Sequence, residues 1–159
     1  MARVTRFTGG KTKVSVHDDR VNRQVHAHGI RNLEAVLEEY RSDLVRTLNR
    51  TGTGRTYTTE GPFGHMVKDA GKSQHTASAP GEPPVTLSGN LADSIETQII
   101  DRGYGSDQAF GMVFTNVHYA PILEQGRGGQ FPMAPRPMWQ RVFMENMTKY
   151  ERIVTSGGG

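Results

Sequence analysis

Cysteine is absent from all 159 residues, which excludes disulfides, thiolate zinc sites and cysteine nucleophiles and fits synthesis in a reducing cytoplasm. Long apolar runs are missing as well. No stretch approaches the roughly 18 residues needed to cross a bilayer, so no membrane is expected. Arg3 and Arg6 are followed by no apolar stretch, so the start does not read as a signal peptide. Aromatics make up only 8% and apolar residues of all kinds 35%, below the roughly 45–50% of ordinary globular chains. The core is therefore expected to be small. In place of apolar residues stand 19 Gly and 8 Pro, so much of the chain reads as loop, ordered largely by partners.

The charge, +3 in total, is unevenly placed. Arg3, Arg6, Lys11, Lys13, Arg20 and Arg23 face only Asp18 and Asp19 within residues 1–29, so the positive character belongs to that segment. An arm of this kind suits nucleic acid or an acidic neighbour, although a solvated terminus is the commoner fate of a charge run. Lys13–Val16 and Val21–Val25 alternate weakly, with a turn between them, and read as a hairpin or extended arm. The division expected is an arm over 1–29, one domain over 30–154, and a disordered Gly-rich tail over 155–159.

Ile30, Leu33, Leu37, Tyr40, Leu44 and Leu48 recur at helical spacing, predicting a helix capped by Asn32 and ended by Gly52. Residues 51–86 show almost no periodicity and read as one long loop, a length usually reserved for function or disorder. Leu87–Ile95 then predicts a short helix leading into a strand near Thr97–Ile100. A turn at Gly103–Asp107 leads to a second strand over Ala109–Val117. Tyr119–Gln125 is a helical turn, Gly126–Gly129 a flexible loop, and Pro137–Val154 a helix with proline in its first turn. The fold class expected is α+β: a small antiparallel sheet packed with a long N-terminal and a C-terminal helix, with long extended loops.

No motif for chemistry stands out. His26 and His28 would share a strand face, His65 and His75 sit in the loop, and His118 stands alone. None has the spacing of zinc enzymes. Ser88 and Ser94 lack a nucleophile elbow, and Gly52–Thr56 lacks the Lys of a phosphate loop. Trp139 reads as packing. The expectation is a non-enzyme with no catalytic residue, metal or cofactor. Scattered His and acidic residues are all that support a metal-dependent hydrolase.

Two motifs are stiff instead. Pro80, Pro83 and Pro84 fix an extended path with a turn at Pro80-Gly81, suited to lying along another subunit. Pro135-Arg136-Pro137 aims the last helix. In order along the chain stand Thr53-Gly54-Arg55-Thr56-Tyr57, His75-x-Ala77-Ser78-Ala79-Pro80-Gly81-Glu82-Pro83-Pro84, Leu87-Ser88-Gly89-Asn90-Leu91-Ala92-Asp93-Ser94-Ile95, Tyr119-Ala120-x-x-Leu123-Glu124-x-Gly126 and Pro135-Arg136-Pro137-Met138. This series, covering about residues 30–152, resembles the neck or tail-completion proteins of long-tailed phages. Ser88 stands where Thr is usual, Met138 where an aromatic is frequent, and Arg127-Gly128-Gly129 follows Gly126 where Thr is commoner.

The resemblance implies a structural virion protein without catalytic residues. It would form a homo-oligomeric ring, sixfold or twelvefold, at the head–tail junction, assembled in the bacterial cytoplasm. Its partners would be a head-side connector and a tail terminator or tail tube protein, with DNA passing through the lumen. Candidate ring contacts are His75, Ser78, Pro80, Gly81, Glu82, Pro83, Tyr119, Leu123, Glu124 and Arg136, the last as a charged anchor. A local salt bridge from Arg136 to Glu124 or Asp93 is the equal alternative. The alternative function is a small nucleic-acid-binding protein working through Arg3, Arg6, Lys11, Lys13, Arg20 and Arg23.

Overall fold

The structure is a computed structural model that describes residues 19–60, 65–67, 74–101, 109–130 and 132–156. The turn expected at Gly103–Asp107 and the segment before residue 19 lie outside the described residues. Helix α1 spans Asp19–Leu48, about 45 Å at 1.5 Å per residue. It takes in Val21–Val25, so the hairpin reading is corrected. Val21 and Val25 are also one helical turn apart, and extending a helix already nucleated at 30–48 is cheap compared with starting a new hairpin. Asn32 is likewise not a cap. It lies inside α1, buried, and donates through Nδ2 to the Val154 carbonyl at 3.1 Å.

The helix stops at Leu48, four residues before Gly52. Gly52 and Gly54 serve a different need: a Cβ at Gly52 would come within 2.3 Å of the Ala77 carbonyl oxygen. That close approach starts a three-stranded antiparallel sheet inside the supposed loop 51–86. In it, β1 (Thr56–Glu60) lies between β2 (His65–Val67) and β3 (Gln74–Thr76). The strands are too short and polar to show apolar alternation, so periodicity could not reveal them. β-branched threonines and pairs such as Thr56 opposite Thr76, with hydroxyls 3.0 Å apart, hold them instead.

Helix α2 is only Asn90–Asp93, entered through Gly89 at φ 84°. Leu91 is buried but Leu87 is exposed, which shortens the expected helix. Strands β4 (Ile95–Asp101) and β5 (Ala109–Thr115) pair antiparallel without interruption. Helix α3 covers Ala120–Gln125, and α4 runs from Trp139 to Ser156, so Pro137 precedes its first turn and residues 155–156 are helical, not tail.

One face of the β4–β5 hairpin lies on α1. The Thr97 hydroxyl donates to Glu38 at 2.7 Å, Arg41 Nε donates to the Ile95 carbonyl at 2.8 Å, and Gly111 sits directly beneath Leu37. The core is small, as expected: Leu44, Leu48, Leu91, Ala92, Ile95, Ala120, Met138 and Val142 form a single buried cluster. It gathers α1, α2, the start of β4, α3 and α4, giving the expected α+β architecture.

Candidate functional site

Of the residues singled out from sequence, Gly81, Glu82, Leu123, Glu124 and Arg136 fall on a belt of hydrogen bonds linking distant loops. Ala79 to Glu82 closes a β-turn, with Glu82 N donating to the Ala79 carbonyl at 3.1 Å and Gly81 at φ 83°. Proline followed by glycine at a positive φ is the signature of a type II turn. The Glu82 carboxylate folds back over this turn, accepting from Ala79 N at 2.8 Å and from the backbone and hydroxyl of Thr53. Those donors, that of the Thr53 hydroxyl foremost, hold the Glu82 carboxyl below its ordinary range. Gly81 N donates to the Pro135 carbonyl at 3.1 Å, and Arg141 Nη1 donates to the Gly81 carbonyl at 3.0 Å. The segment is therefore fastened to its own chain, and its order does not wait for a neighbour as the sequence suggested.

His75 stands on β3 opposite Tyr57 and is half-buried, and Pro83 is half-buried beyond the turn. Ser78 is 4% exposed and its hydroxyl has no partner among the described residues. Further along, Tyr119 is the N-cap residue of α3 and packs with Leu123 on the core. Arg136 N donates to the Leu123 carbonyl at 2.7 Å. Glu124 Oε2 accepts from Met138 N at 2.8 Å and lies 3.5 Å from Trp139 N, capping α4.

Neither Glu124 nor Asp93 pairs with Arg136, which corrects the local salt-bridge reading. Arg136 Nε is buried without a partner among the described residues. The capping role of Glu124 also acts on Tyr40, whose hydroxyl donates to the Trp139 carbonyl at 2.8 Å. Burial, reinforced by the Glu124 charge, pushes the Tyr40 phenol up to about 12.

A second cluster was not visible in the sequence. Asp43, 3% exposed, accepts from Lys149 Nζ at 2.7 Å, from the Tyr150 hydroxyl at 2.9 Å and from Arg46 Nη1 at 2.8 Å. Lys149 also pairs with Glu39. Burial alone would raise the Asp43 carboxyl, but the Lys149 and Tyr150 hydrogen bonds and the two cationic charges outweigh it and hold it low. Burial and the Asp43 bond push the Tyr150 phenol up, and the carboxylates of Asp43 and Glu39 hold the Lys149 ammonium up against its own desolvation. Asp43 and Arg46 at i,i+3 beside the apolar stripe of α1 were the only local signal, and the partners Lys149 and Tyr150 lie more than 100 residues away.

These groups clamp α1 to α4. His26 and His28 lie on a helix, roughly 200° apart around it, not on one strand face. His75 stays on β3, and His118 is exposed, with its ring 5.5 Å from that of Tyr119. Among the described residues no three His, Asp or Glu side chains are placed to hold a metal ion. An open recess of about 510 Å³ between the end of β5 and α3 includes Val117, Pro121, Glu124 and Trp139 in its walls. Arg20 and Arg23 lie on α1, with Arg23 exposed, while Arg3, Arg6, Lys11 and Lys13 fall outside the described residues.

None of the protein-family models, curated proteins or solved structures compared with this chain matches it.

Proposed function

We propose that the chain is a structural ring subunit at the head–tail junction of a long-tailed phage, joining a head-side connector to a tail terminator or tail tube protein. One observation carries the reading: four of the five motifs behind the resemblance, all but Leu87–Ile95, are bonded to one another. Gly54 N donates to the Ala77 carbonyl, Thr53 to Glu82, Gly81 N to the Pro135 carbonyl, Arg136 N to the Leu123 carbonyl and Met138 N to Glu124. These bonds join residues up to 54 positions apart and thus form one belt around a small core.

Such a belt is what a ring subunit needs. A closed ring is built from heterologous contacts, in which one surface of a subunit meets a different surface of the next. Those surfaces must be held at fixed angles, and proline turns and backbone bonds hold them with little side-chain volume. Apolar surface suited to such contacts is present as well: Phe143, Met144, Met147 and Val154 on α4, and Ile100, Phe110 and Met112 on the hairpin, are all exposed. Arg136 is half-buried, and its planar guanidinium suits a carboxylate supplied by a neighbour.

The test is genetic and structural. Particles from cells that carry the gene should contain the chain at the neck, and deleting the gene should yield filled heads and separate tails. Joined, fully infectious particles made without the chain would falsify the proposal.

A further inference from the structure

The open recess of about 510 Å³ at the end of β5 has the Glu124 carboxylate in its wall, and among the described residues no other acid and no lysine or arginine lines it. Glu124 spends one oxygen on the α4 cap: Oε2 accepts from Met138 N at 2.8 Å and lies 3.5 Å from Trp139 N. Its Oε1 has no hydrogen bond or ion pair among the described residues. A half-buried carboxylate oxygen in this position gains from a cationic donor, because a charge-assisted bond is about twice as strong as a neutral one.

Apolar side chains make up much of the remaining wall. Val113 and Phe114 come from β5, Val117 from the segment after it, Pro121 from α3, and the half-buried Trp139 from the first position of α4. The backbone of Trp139 is fastened on both sides. Its N–H faces Glu124, and its carbonyl accepts from the Tyr40 hydroxyl at 2.8 Å. The carboxylate and the backbone that carries the indole are thus held together before any partner arrives, which lowers the cost of binding.

A carboxylate beside an indole, among apolar walls, suits a cation with a planar face and an apolar stem. Arginine has both. Its guanidinium bonds carboxylates and stacks on aromatic rings, while its methylenes cover apolar surface. A lysine ammonium is more strongly hydrated and has no flat face to lay on the indole. The shape of the recess points to the source of that arginine. Its volume falls within the roughly 300–1,000 Å³ of ligand sites, but a site for a free small molecule encloses most of its ligand. This recess is open, so it suits a side chain carried on a second polypeptide.

We infer that the recess between Glu124 and Trp139 takes an arginine side chain of a partner polypeptide. The inference stands apart from the ring reading, since it requires only a partner with a projecting arginine.

Trp139 is the only tryptophan in the chain, so the emission of the full-length protein reports on this wall directly. Titration with a capped glycine–arginine–glycine peptide should change that emission saturably at millimolar peptide. The citrulline version, planar but uncharged, should bind about tenfold more weakly, as for the loss of one bond to a charged group. Glu124→Gln should weaken the arginine peptide by a similar factor. Because that change also touches the α4 cap, Gln125→Lys is the second variant. It keeps Glu124 and adds a cation at an exposed position of the rim, so it should weaken the peptide several-fold while the urea midpoint stays in place. No saturable change, equal binding of the citrulline or lysine version, or undiminished binding to either variant overturns the inference.

Discussion

Glu124 and Met138, fourteen positions apart, are joined by a 2.8 Å hydrogen bond from the Met138 N–H to the Glu124 carboxylate. The bond makes α3 the cap of α4, a task normally done by a residue next to the helix itself. It places a negative charge at the positive end of the α4 dipole and fixes the Pro135-Arg136-Pro137 turn between the two helices. Aiming α4 is thus a property of two elements, not of the prolines alone.

Removing that carboxylate is the first prediction. Glu124→Ala should lower stability by about 1–2 kcal/mol, the range for losing an N-cap, while Glu124→Gln, which keeps an acceptor but not the charge, should lose about half as much. Urea midpoints of the three proteins measure the order. Alanine and wild-type proteins melting alike would show that the cap contributes nothing.

The Asp43 clamp gives the second. Asp43→Ala leaves the Tyr150 hydroxyl without its acceptor, whereas Lys149, more than a third exposed, can turn to water. The loss should therefore be about 1–3 kcal/mol, less than for a fully buried pair. The Asp43 and Glu82 carboxyls both sit below their ordinary values in the folded chain. Their stabilisation is present above about pH 4–5 and disappears as pH falls through the lowered values. Tyr40 and Tyr150 are raised, so their contribution holds below about pH 10 and is lost as pH climbs through the raised values. Stability measured against pH should show both shoulders, and Asp43→Ala should flatten the acid one. An unchanged acid shoulder in that variant would place the effect elsewhere.

At Gly81 the obstacle is conformation and not space. Its φ is 83°, yet an added Cβ would meet nothing within 4 Å. Gly81→Val should therefore lower stability by about 1–3 kcal/mol through backbone strain, and Gly81→Asn by less, because asparagine tolerates the left-handed region. The domain should still fold. If the turn positions a ring contact, particle yield should fall with valine further than melting alone explains. Normal melting together with normal infectious yield for Gly81→Val would exclude a role for this turn in joining subunits.

Gly111 poses the opposite case. A Cβ there would come 2.5 Å from Leu37 Cδ1, so Gly111→Ala should lower the denaturation midpoint by an amount equivalent to about 1–3 kcal/mol of overpacking. Because the obstacle is one flexible side chain, pairing it with Leu37→Ala should cost less than the two changes summed. Strict additivity would mean that α1 and β5 do not meet at this point.

Sequence by itself determined the long helix from Ile30 to Leu48, the β4–β5 pair, the last helix, the small core and the Pro80-Gly81 turn. Each is a local pattern: apolar spacing of three and four, alternation over seven residues, or a proline–glycine pair whose dihedrals admit one turn. The helix over 19–29 was not legible, because Val21 and Val25 suit a strand or a helix and only continuation from the stable part of α1 selects between them. The sheet in 51–86 escaped because strands of three to five residues are too short to carry an apolar period. What only the tertiary structure decided is which polar residues meet. Asp43 with Lys149, Glu82 with Thr53, and Glu124 with Met138 are chosen when the core closes and brings distant backbone and side chains within 3.2 Å. Such a bond is worth something only once water has been excluded around it, and no local pattern in the chain encodes that exclusion.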